Sequence, residues 1–324
     1  MTLKVGVIGT GVMGAEHVRL LREETAGATV AAVCDADAAR AQSVAGAAAG
    51  FTDPLALIAD PEVEAVVIAT PDATHARLAL ACIAAGKPVL CEKPLAPTAE
   101  EALQVVSAEV EAGRRLVQVG YMRRFDPAYV EMRRSRIAGE IGEAVLLHNT
   151  HRNAAAPEWF TGAMAVTNSF VHEIDISRWL LDSEPVSARV LQGPGGDPLV
   201  ITMETDRGQI VSTEVYMNAR YGYHVHAQLV GRDGTIEMAA PTATVTNHSL
   251  RHGHSWAENW VPRFRDAYRI QMTAWVRSIR TGQPVGASAW DGYVATGIAE
   301  QVVTALQTGD SARLLLGVRP GLYS

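Results

Sequence analysis

A glycine-rich turn near the N-terminus sets the strongest limit on how this chain can fold. A short, mostly apolar run at 3–8 has the length of a buried strand, and a GxGxxG pattern follows it directly. In that pattern Gly9 allows a tight turn, Gly11 lets the backbone approach a phosphate, and Gly14 lets the next helix pack closely. The helix predicted to begin at Met13 then directs its N-terminal N–H groups at the anion. This order of strand, turn and helix is typical of a site for the pyrophosphate of a dinucleotide.

An aspartate after the second predicted strand indicates which dinucleotide the turn accepts. The strand at 29–34 ends in Asp35, which lies 21 residues after Gly14. A carboxylate at this position accepts hydrogen bonds from the adenosine ribose hydroxyls and repels a 2′-phosphate. Ala36 follows, where a residue suited to that phosphate would be an arginine or a serine. The sequence therefore favours NAD, while Arg40 on the next helix keeps NADP as the less favoured alternative.

The composition excludes several classes of partner. The 28 lysines and arginines against 35 aspartates and glutamates give a net charge of −7, which argues against nucleic acid and against an anionic membrane surface. The N-terminus lacks the pattern of a signal peptide, and no apolar run reaches the roughly eighteen residues of a membrane span. The three cysteines, Cys34, Cys82 and Cys91, lack the spacing of metal ligands. We therefore expect a cytoplasmic protein whose thiols are buried and reduced.

The pattern of apolar runs changes near residue 122, which predicts two domains. Before this point, short apolar runs alternate with alanine-rich helical stretches, as in a doubly wound parallel sheet. After it, longer segments separated by turn signals indicate antiparallel strands. We therefore expect a Rossmann domain over 1–122 and, over 123–324, an α+β domain built on a large, mostly antiparallel open sheet.

The individual elements predicted from the sequence follow these two patterns. In the first domain we expect strands at 3–8, 29–34, 65–69, 88–91 and 116–119, and helices near 13–25, 36–48, 75–85 and 98–112. In the second domain we expect strands at 143–152, 186–192, 199–204, 209–217, 223–230 and 234–238, and helices near 127–137, 171–182, 265–281 and 291–308.

Two motifs at the ends of predicted strands identify a family that the chain resembles. They are Ala69-Thr70-Pro71-Asp72-Ala73-Thr74-His75 and Cys91-Glu92-Lys93-Pro94. Both resemble the glucose–fructose oxidoreductase, inositol dehydrogenase and rhizopine-catabolism family (Gfo/Idh/MocA), and the resemblance extends over essentially the whole chain. Further segments are similar to the bacterial inositol 2-dehydrogenases within that family: Glu92–Ala96, Val117–Phe125, His151–Asn153, Val171–Asp175, Tyr221–Tyr223 and Ser288–Tyr293.

The resemblance implies NAD-dependent oxidation of a secondary hydroxyl of a cyclitol, myo-inositol or a close relative, to the ketone. A hydride then moves to the nicotinamide while a base takes the hydroxyl proton, and histidine is suited to that role near neutral pH. The resemblance makes His172, at the start of a predicted helix, this acid/base. It makes Lys93 the group that polarises the substrate oxygen. The alternatives are a surface lysine and a helix-capping or core histidine.

One position departs from the family pattern. Relatives with a catalytic lysine, aspartate and histidine carry the aspartate four residues before the histidine, where this chain has Asn168. Its amide oxygen can accept a hydrogen bond from His172 but adds no charge, and its amide nitrogen could select the other tautomer. Asp175 could partly replace the missing carboxylate.

The departure at Asn168 keeps two alternative functions open. We expect either a weaker base with slower turnover or a different substrate, such as another polyol, an amino-cyclitol or a pyranose. An NAD(P)-binding sensor protein without activity is the second alternative, although retention of Lys93 and His172 argues against it.

The resemblance also implies which residues contact the coenzyme and which contact the substrate. The coenzyme contacts that it implies are Gly9, Gly11, Val12, Met13, Gly14, Asp35, Ala36, Thr70, Pro71, His75, Glu92, Lys93 and Met122. The substrate contacts that it implies are Lys93, Arg123, His151, Asn153, Asn168, His172 and Tyr223. His151 and Asn153 are two residues apart on a predicted strand, so both can face the substrate while Arg152 points away. We expect Trp159 either to line the site or to pack in the core.

Two further expectations concern assembly and metals. The resemblance implies a homo-oligomer, a tetramer, and the open face of the second sheet offers a surface for self-association. The histidine-rich segment 247–254 has no carboxylate or cysteine at ligand spacing, so we expect a mobile surface loop there and no bound metal.

Overall fold

The computed structural model of the protein describes residues 2–239 and 244–324. Contacts between residues divide the chain into two units. Unit 1 runs up to Met122 and includes Tyr268–Gly297 and Gly317–Ser324. Unit 2 comprises Arg123–Ala267 and Ile298–Leu316.

Strands and helices alternate through the first part of the chain. Up to residue 122 they are β1 (Leu3–Ile8), α1 (Val12–Glu23), β2 (Ala28–Cys34), α2 (Ala38–Ala45), β3 (Ala49–Phe51), α3 (Pro54–Ala59), β4 (Ala65–Ile68), α4 (His75–Ala84), β5 (Val89–Cys91), α5 (Ala99–Ala112) and β6 (Val117–Val119).

Strands predominate in the middle of the chain, and helices return near its end. From residue 123 the elements are α6 (Pro127–Ile137), β7 (Ala144–Arg152), α7 (Gly162–Met164), α8 (Val171–Leu181), β8 (Pro185–Gln192), β9 (Leu199–Thr205), β10 (Ile210–Tyr216), β11 (His224–Gly231), β12 (Thr235–Glu237), β13 (Thr246–His248), β14 (Arg251–Gly253), α9 (Trp260–Arg263), α10 (Arg265–Thr281), β15 (Ala287–Ser288), α11 (Ala289–Thr308) and β16 (Ala312–Arg313).

Unit 1 is built on a parallel sheet. Within the described residues the strand order is β15–β6–β5–β4–β1–β2–β3, and β15 alone runs antiparallel to its neighbour. Every residue of β4 is buried, as in parallel sheets that are covered on both faces. The chain order reverses at β1, which lies between β4 and β2. In sheets of this kind, ligands bind beside the carboxyl ends of the strands at the point of reversal.

Two segments from late in the chain complete unit 1. β15 pairs with β6 through Ala287 and Val119, and α10 adds Met272, Trp275 and Val276 to the apolar core around β1 and β2. The sequence-based boundary assigns everything after residue 122 to the second domain, whereas 268–297 and 317–324 belong to unit 1. The physical reason is the burial of these apolar side chains against a sheet formed much earlier in the chain.

Unit 2 contains a mixed sheet with the order β12–β11–β7–β10–β9–β8–β16. Its neighbouring strands are antiparallel, except that β10 and β7 run parallel. The expectation of a large, mostly antiparallel sheet is therefore confirmed. Along β7, Leu147, Asn149 and His151 are buried while the residues between them are more exposed. This alternation places Asn149 and His151 on the inner face of the sheet.

Several short elements differ from the sequence-based expectation. The sequence does not predict β3 or α3, and α2 ends at Ala45 because the glycine after it has a φ of +55°. The helix expected at 171–182 begins earlier, since α7, a π-helical turn at Ala165–Phe170 and α8 follow one another directly. The mobile loop expected at 247–254 is wrong, because β13 and β14 pair there as a hairpin.

Candidate active site

The turn after β1 has the geometry that its glycines predict. Gly9 has a φ of +87°, and a Cβ there would lie 2.4 Å from the carbonyl oxygen of Ala69. A Cβ on Gly14 would lie 1.8 Å from the carbonyl oxygen of Gly9, so a side chain fits neither position. Gly11, the N-cap of α1, has open space where its Cβ would be. This space in front of the first turn of α1 suits an anion bound by backbone N–H groups.

Asp35, directly after β2, is held as an anion by its neighbours. Its Oδ2 accepts hydrogen bonds from the N–H and the hydroxyl of Thr10, both at 2.9 Å, and its Oδ1 accepts from the N–H of Asp37 at 3.0 Å. Burial opposes ionisation, but these hydrogen bonds and Arg40 hold the pKa of the Asp35 carboxyl below its usual range. Nη1 of Arg40 lies 3.6 Å from Oδ1 of Asp35. The carboxylate predicted to accept from the ribose is therefore ionised and has a guanidinium beside it, and its contact with the ribose stays a prediction.

The remaining residues predicted to bind the coenzyme after β1, β2 and β4 differ in how far their side chains are exposed. Val12, the first residue of α1, is 70% exposed, which fits a residue that a ligand would cover. Met13 is half-buried, and Ala36 and Pro71 are exposed. Thr70 follows β4, where its hydroxyl lies 2.7 Å from that of Thr74. These positions surround the turn, and their contacts with a coenzyme stay a prediction.

His75 is the first residue of α4, and its buried ring joins two turns. Its Nδ1 lies 2.7 Å from the carbonyl oxygen of Pro94, and its Nε2 lies 2.8 Å from that of Thr70. Both neighbours are carbonyl oxygens, so a ring nitrogen that carries a hydrogen can donate to the one beside it. His75 thus ties the end of β4 to the turn after β5, where the Lys93–Pro94 peptide is cis. These contacts support the two turns, and the predicted contact of His75 with the coenzyme stays a prediction.

Lys93 lies in the turn after β5, next to a buried carboxylate. That carboxylate belongs to Glu92, and its Oε1 is 2.8 Å from Nε2 of His17 on α1. Burial opposes ionisation of Glu92, yet its hydrogen bond with His17 and the charges of His17, Lys93 and His75 hold its pKa below the usual range. Lys93 itself is half-buried. Lys93 therefore lies at the carboxyl edge of the parallel sheet, as predicted, directly after an ionised glutamate.

Unit 2 contains a buried polar cluster centred on Glu173, which lies in the first turn of α8. Arg123 donates from Nη1 to Oε1 of Glu173, and Nδ1 of His151 lies 3.1 Å from Oε2. Nη2 of Arg123 is 3.2 Å from the same nitrogen of His151. Burial raises the pKa of Glu173, but Arg123 and His151 outweigh it and lower the pKa to about 2. Glu173 is therefore an anion near neutral pH, and it fixes an arginine and a histidine.

Tyr223 adds a neutral hydroxyl to this cluster. Its ring packs edge-on against His151, with 5.8 Å between the ring centroids. Burial raises the pKa of Tyr223 to about 12, so its hydroxyl keeps its proton near neutral pH. Arg123, His151 and Tyr223 are 1%, 3% and 4% exposed, respectively. These three predicted substrate residues thus form one buried network around Glu173.

His172 and Asn168 lie on consecutive helical segments. His172 is the second residue of α8 and is 7% exposed, and its ring centroid lies 6.4 Å from that of His151. Asn168 lies in the π-helical turn before α8, a kind of turn that often occurs at functional sites. Its Oδ1 accepts a hydrogen bond from the hydroxyl of Thr167 at 3.2 Å. The amide oxygen that could serve His172 therefore has another donor.

The end of β7 shows the predicted alternation of side chains. Arg152 donates two hydrogen bonds to Glu214, at 2.7 and 2.6 Å, on the face opposite to His151. Asn153 is half-buried, and its Oδ1 has no hydrogen-bond partner among residues 2–239 and 244–324. Met122, at the end of unit 1, is buried.

The sequence interpretation missed Glu173 and His17 as parts of the site. Glu173 follows the predicted acid/base in the motif Val171–Asp175, and this adjacency was the available signal. Asp175, considered as a partial replacement for the missing carboxylate, accepts hydrogen bonds from Arg124 at both oxygens, at 2.9 and 2.5 Å, and its compensating role stays a prediction. The core position considered for Trp159 is also wrong, since Trp159 is 67% exposed.

Residues 2–239 and 244–324 contain neither a cluster of metal-ligating side chains nor a helix suited to span a membrane. There, histidine, cysteine, aspartate and glutamate side chains form no group of three or more suited to a metal ion. Across the same residues, no helix combines the length and the apolar character needed to cross a bilayer.

Comparison with known proteins decides the family. Residues 3–121 match "Oxidoreductase family, NAD-binding Rossmann fold", and residues 134–314 match "Oxidoreductase family, C-terminal alpha/beta domain". The chain belongs to the Gfo/Idh/MocA oxidoreductase family. The predicted family, the fold class and NAD as the coenzyme are thereby confirmed, and the protein is an NAD-dependent oxidoreductase.

Full-length relatives carry inositol dehydrogenase names. Inositol 2-dehydrogenase 1 of Saccharopolyspora erythraea is 48% identical, over 100% of this chain and 99% of its own. Inositol 2-dehydrogenase of Paracoccus denitrificans is 42% identical, over 100% of both chains. Among solved structures, myo-inositol dehydrogenase from Lactobacillus casei in complex with NAD(H) and myo-inositol is 29% identical, with a TM-score of 0.95 over 100% of both chains.

Proposed function

We propose that this protein oxidises a secondary hydroxyl of a cyclitol, myo-inositol or a close relative, to the ketone while it reduces NAD. The observation that carries the proposal is the 48% identity with inositol 2-dehydrogenase 1 of S. erythraea over the full length of both chains. The L. casei enzyme, with a TM-score of 0.95, holds NAD(H) and myo-inositol, which supports the same combination of coenzyme and substrate.

Lys93 and His172 carry the chemistry in this proposal. A hydride leaves the carbon for the nicotinamide and a proton leaves the hydroxyl, so a base and a cationic donor must serve the same oxygen. His172 takes the proton as the base. The ammonium of Lys93 donates to the oxygen and stabilises the negative charge that develops on it. NAD supplies the hydride acceptor.

Arg123, His151, Asn153, Asn168 and Tyr223 bind the hydroxyls of the ring in this proposal. A site for a polyol discriminates through donors and acceptors whose positions are fixed before the substrate arrives. The contacts of Glu173 with Arg123 and His151 provide such fixing. Oδ1 of Asn153, which has no partner within the described residues, is an acceptor for a substrate hydroxyl.

Asn168 determines how strong the base is. As a neutral partner it stabilises the imidazolium of His172 less than a carboxylate would, so turnover is slower than with an aspartate there. The alternative is that Asn168 matches a substrate other than myo-inositol, namely another polyol, an amino-cyclitol or a pyranose. The two alternatives predict different effects of the Asn168→Asp substitution on the turnover of each substrate.

The test is NADH formation at 340 nm over a panel of myo-, scyllo- and chiro-inositol, glucose and amino-cyclitols, with NAD and then NADP. We expect robust reduction of NAD by at least one cyclitol. Asn168→Asp is measured in parallel, and it should raise kcat about tenfold for the true substrate if the base alone is affected. NAD binding without reduction by any member of the panel, in both proteins, would refute the proposal and favour a sensor.

We also propose that the protein is a cytoplasmic homotetramer. Apolar side chains on the strands of the second sheet support self-association, since Leu191 and Ile210 are 55% and 51% exposed in the single chain. The three cysteines are buried and free, which fits a reducing compartment. Light scattering coupled to gel filtration should give four times the chain mass of 34.6 kDa, and a monomer mass would contradict the assembly.

A further inference from the structure

Glu92 is a buried side chain whose two oxygens have different partners. Oε1 lies 2.8 Å from Nε2 of His17, and Oε2 lies 3.4 Å from the backbone nitrogen of Lys93. The backbone N–H of Glu92 donates to the carbonyl oxygen of Ile68 on β4 at 2.9 Å. Glu92 is 8% exposed and His17 is 1% exposed, so water cannot readily replace these contacts. The carboxylate therefore lies between a histidine and the backbone that carries Lys93.

Gly120, directly after β6, provides the space in which this carboxylate lies. A Cβ on Gly120 would be 2.9 Å from Oε2 and 3.1 Å from Cα of Glu92. The N–H of Gly120 donates to the carbonyl oxygen of Cys91 at 2.7 Å, which draws the two strand ends together. The carboxylate thus occupies the position that a side chain of residue 120 would need.

His17 connects this carboxylate to the helix that begins at the glycine-rich turn. It lies on α1, and its ring packs edge-on against Tyr268 of α10 with 6.2 Å between centroids. Nδ1 of His17 has no hydrogen-bond partner within residues 2–239 and 244–324. Because an ionised carboxylate only accepts hydrogen bonds, Nε2 of His17 is the donor to Glu92. Through this hydrogen bond, the helix at the pyrophosphate site and the turn with Lys93 are joined.

We propose that His17 is a positioning residue for Lys93 that acts through Glu92. The imidazole fixes the carboxylate, and the carboxylate fixes the backbone of Lys93 and balances the charge of its ammonium. The proposal rests on the proposed function in one respect only, the use of Lys93 at the substrate oxygen. It adds a residue to the catalytic arrangement that touches neither the substrate nor the hydride.

The groups around Glu92 determine what the loss of His17 does. They are His17 on α1, Lys93 in the same turn, His75 on α4 and, behind the imidazole, Tyr268 on α10. His17, Lys93 and His75 each lower the pKa of Glu92, against the effect of burial. Without His17, the opposing effect of burial raises the pKa of Glu92, so the carboxyl takes up a proton at higher pH. A protonated Glu92 no longer balances the charge on Lys93.

Two substitutions separate the hydrogen bond from the volume of the side chain. His17→Gln keeps an N–H donor that cannot titrate, whereas His17→Leu removes the donor. Thr25→Val is the control. It removes a buried hydrogen bond of 2.9 Å, which the hydroxyl of Thr25, just after the C-terminal end of α1, donates to the carbonyl oxygen of Leu20. For each variant we would measure kcat, KM for the cyclitol and the Kd of NAD between pH 5 and pH 10, together with thermal unfolding.

We expect His17→Leu to lower kcat about thirtyfold and to move the acid limb of its pH profile to higher pH, with KM and the Kd of NAD within about threefold of wild type. His17→Gln should retain kcat within about threefold and leave the acid limb in place, because the amide still donates to Glu92. Thr25→Val should lose stability without any change in the pH profile. A merely structural histidine would not produce this result, because its loss would lower stability, as in Thr25→Val, without moving the pH profile of kcat.

The low number of lysines allows a measurement that needs no substrate. The chain contains three, Lys4, Lys87 and Lys93, so reductive methylation with ¹³C-formaldehyde gives three lysine signals by NMR. Lys4→Arg and Lys87→Arg assign two of them and leave the signal of Lys93. We expect this signal to shift in His17→Leu and in Glu92→Gln, to titrate at lower pH in Glu92→Gln because the carboxylate is lost, and to stay near its wild-type position in His17→Gln and Thr25→Val.

The two readouts distinguish failure of this inference from failure of the proposed function. An unchanged Lys93 signal in His17→Leu, with kcat no lower than in Thr25→Val, would overturn the positioning role. If the wild type reduces no NAD with any cyclitol while the Lys93 signal moves as expected, the proposed function fails and the role of His17 in positioning Lys93 stands.

Discussion

Two buried glutamates, Glu92 in unit 1 and Glu173 in unit 2, both contact a histidine but have different cationic neighbours. Glu173 binds Arg123 as well as His151, and these two lower its pKa to about 2 against the effect of burial. Glu92 contacts His17, and Lys93 adds its charge, which again lowers the pKa against burial. The buried ion pair of Arg123 and Glu173 holds the arginine in place. Because Lys93 is proposed to act on the substrate, Glu92 beside it contributes to the proposed chemistry.

The same contrast extends to how each unit positions its residues. The coenzyme turn of unit 1 depends on backbone geometry, since neither Gly9 nor Gly14 has room for a Cβ. The cluster of unit 2 depends on charges that are almost completely buried, with Arg123 1% and Glu173 0% exposed. Substitutions in unit 2 should therefore reduce stability most, and substitutions in the turn should reduce coenzyme affinity.

The largest effect expected from this contrast is the loss of stability when the pair in unit 2 is broken. Glu173→Ala leaves the guanidinium of Arg123 buried without its carboxylate, which costs about 3–5 kcal/mol of unfolding free energy. Urea denaturation followed by circular dichroism measures it. The surface pair of Glu131 and Arg134, with side chains 55% and 61% exposed, is the control, and Glu131→Ala should change little. Equal losses in both variants would contradict the assigned role of Glu173.

Low pH should reduce the free energy of unfolding through the same residue, Glu173. The pKa of Glu173 lies at about 2 in the folded protein against 4.5 ordinarily, so its stabilising contribution is complete above about pH 5 and is lost as the pH falls towards 2. The shift corresponds to about 3 kcal/mol. Unfolding measured between pH 7 and pH 3 should show a flatter decline in Glu173→Gln than in wild type. Asp35 and Glu92, whose pKa values are also lowered, should contribute to the decline that remains.

Changes in the glycine turn should act on coenzyme binding. Gly14→Ala places a Cβ where only 1.8 Å separates it from the carbonyl oxygen of Gly9, so the turn must shift, and the Kd of NAD should rise about a hundredfold. Gly11→Ala meets no protein atom, so the fold should persist while the methyl group weakens phosphate binding about tenfold. Fluorescence titration with NAD measures both. Wild-type affinity in Gly14→Ala would show that the turn does not bind the pyrophosphate.

The smallest expected effect concerns the choice between NAD and NADP. Asp35→Ser removes the carboxylate that repels a 2′-phosphate and frees Arg40, which lies 3.6 Å from it, to bind that phosphate. The affinity for NAD should fall about tenfold, and that for NADP should rise. The double variant Asp35→Ser with Arg40→Gln is the control, and its gain for NADP should be lost. An unchanged preference in Asp35→Ser would move the specificity determinant elsewhere.

The sequence predicts those parts of the site whose signal is local. The turn at Gly9, the acceptor Asp35 and the lysine after β5 follow from short motifs at the ends of apolar strands. β3 is not predictable in the same way, because Ala49 and Gly50 are exposed and carry no alternating pattern. The same holds for the start of the helix before His172, since its π-helical turn follows no regular apolar period.

Pairings between distant residues account for the rest. His17 and Glu92 are 75 residues apart, and Arg123 and Glu173 are 50 apart, so no spacing rule connects them. The return of α10 to unit 1 has the same origin, because Trp275 finds its partners on strands near the N-terminus. Asp175 also shows this limit, since its contact with Arg124, 51 residues earlier in the chain, follows from no local motif.

Transfer of deuterium from a labelled cyclitol to NAD tests the proposed reaction most directly. The protein would be incubated with NAD and myo-inositol that carries deuterium on the ring carbons, and the NADH formed would be analysed by mass spectrometry. We expect NADH that is one mass unit heavier, together with the corresponding ketone. Absence of NADH with this and every other labelled cyclitol, or NADH without deuterium, would contradict hydride transfer from a cyclitol carbon.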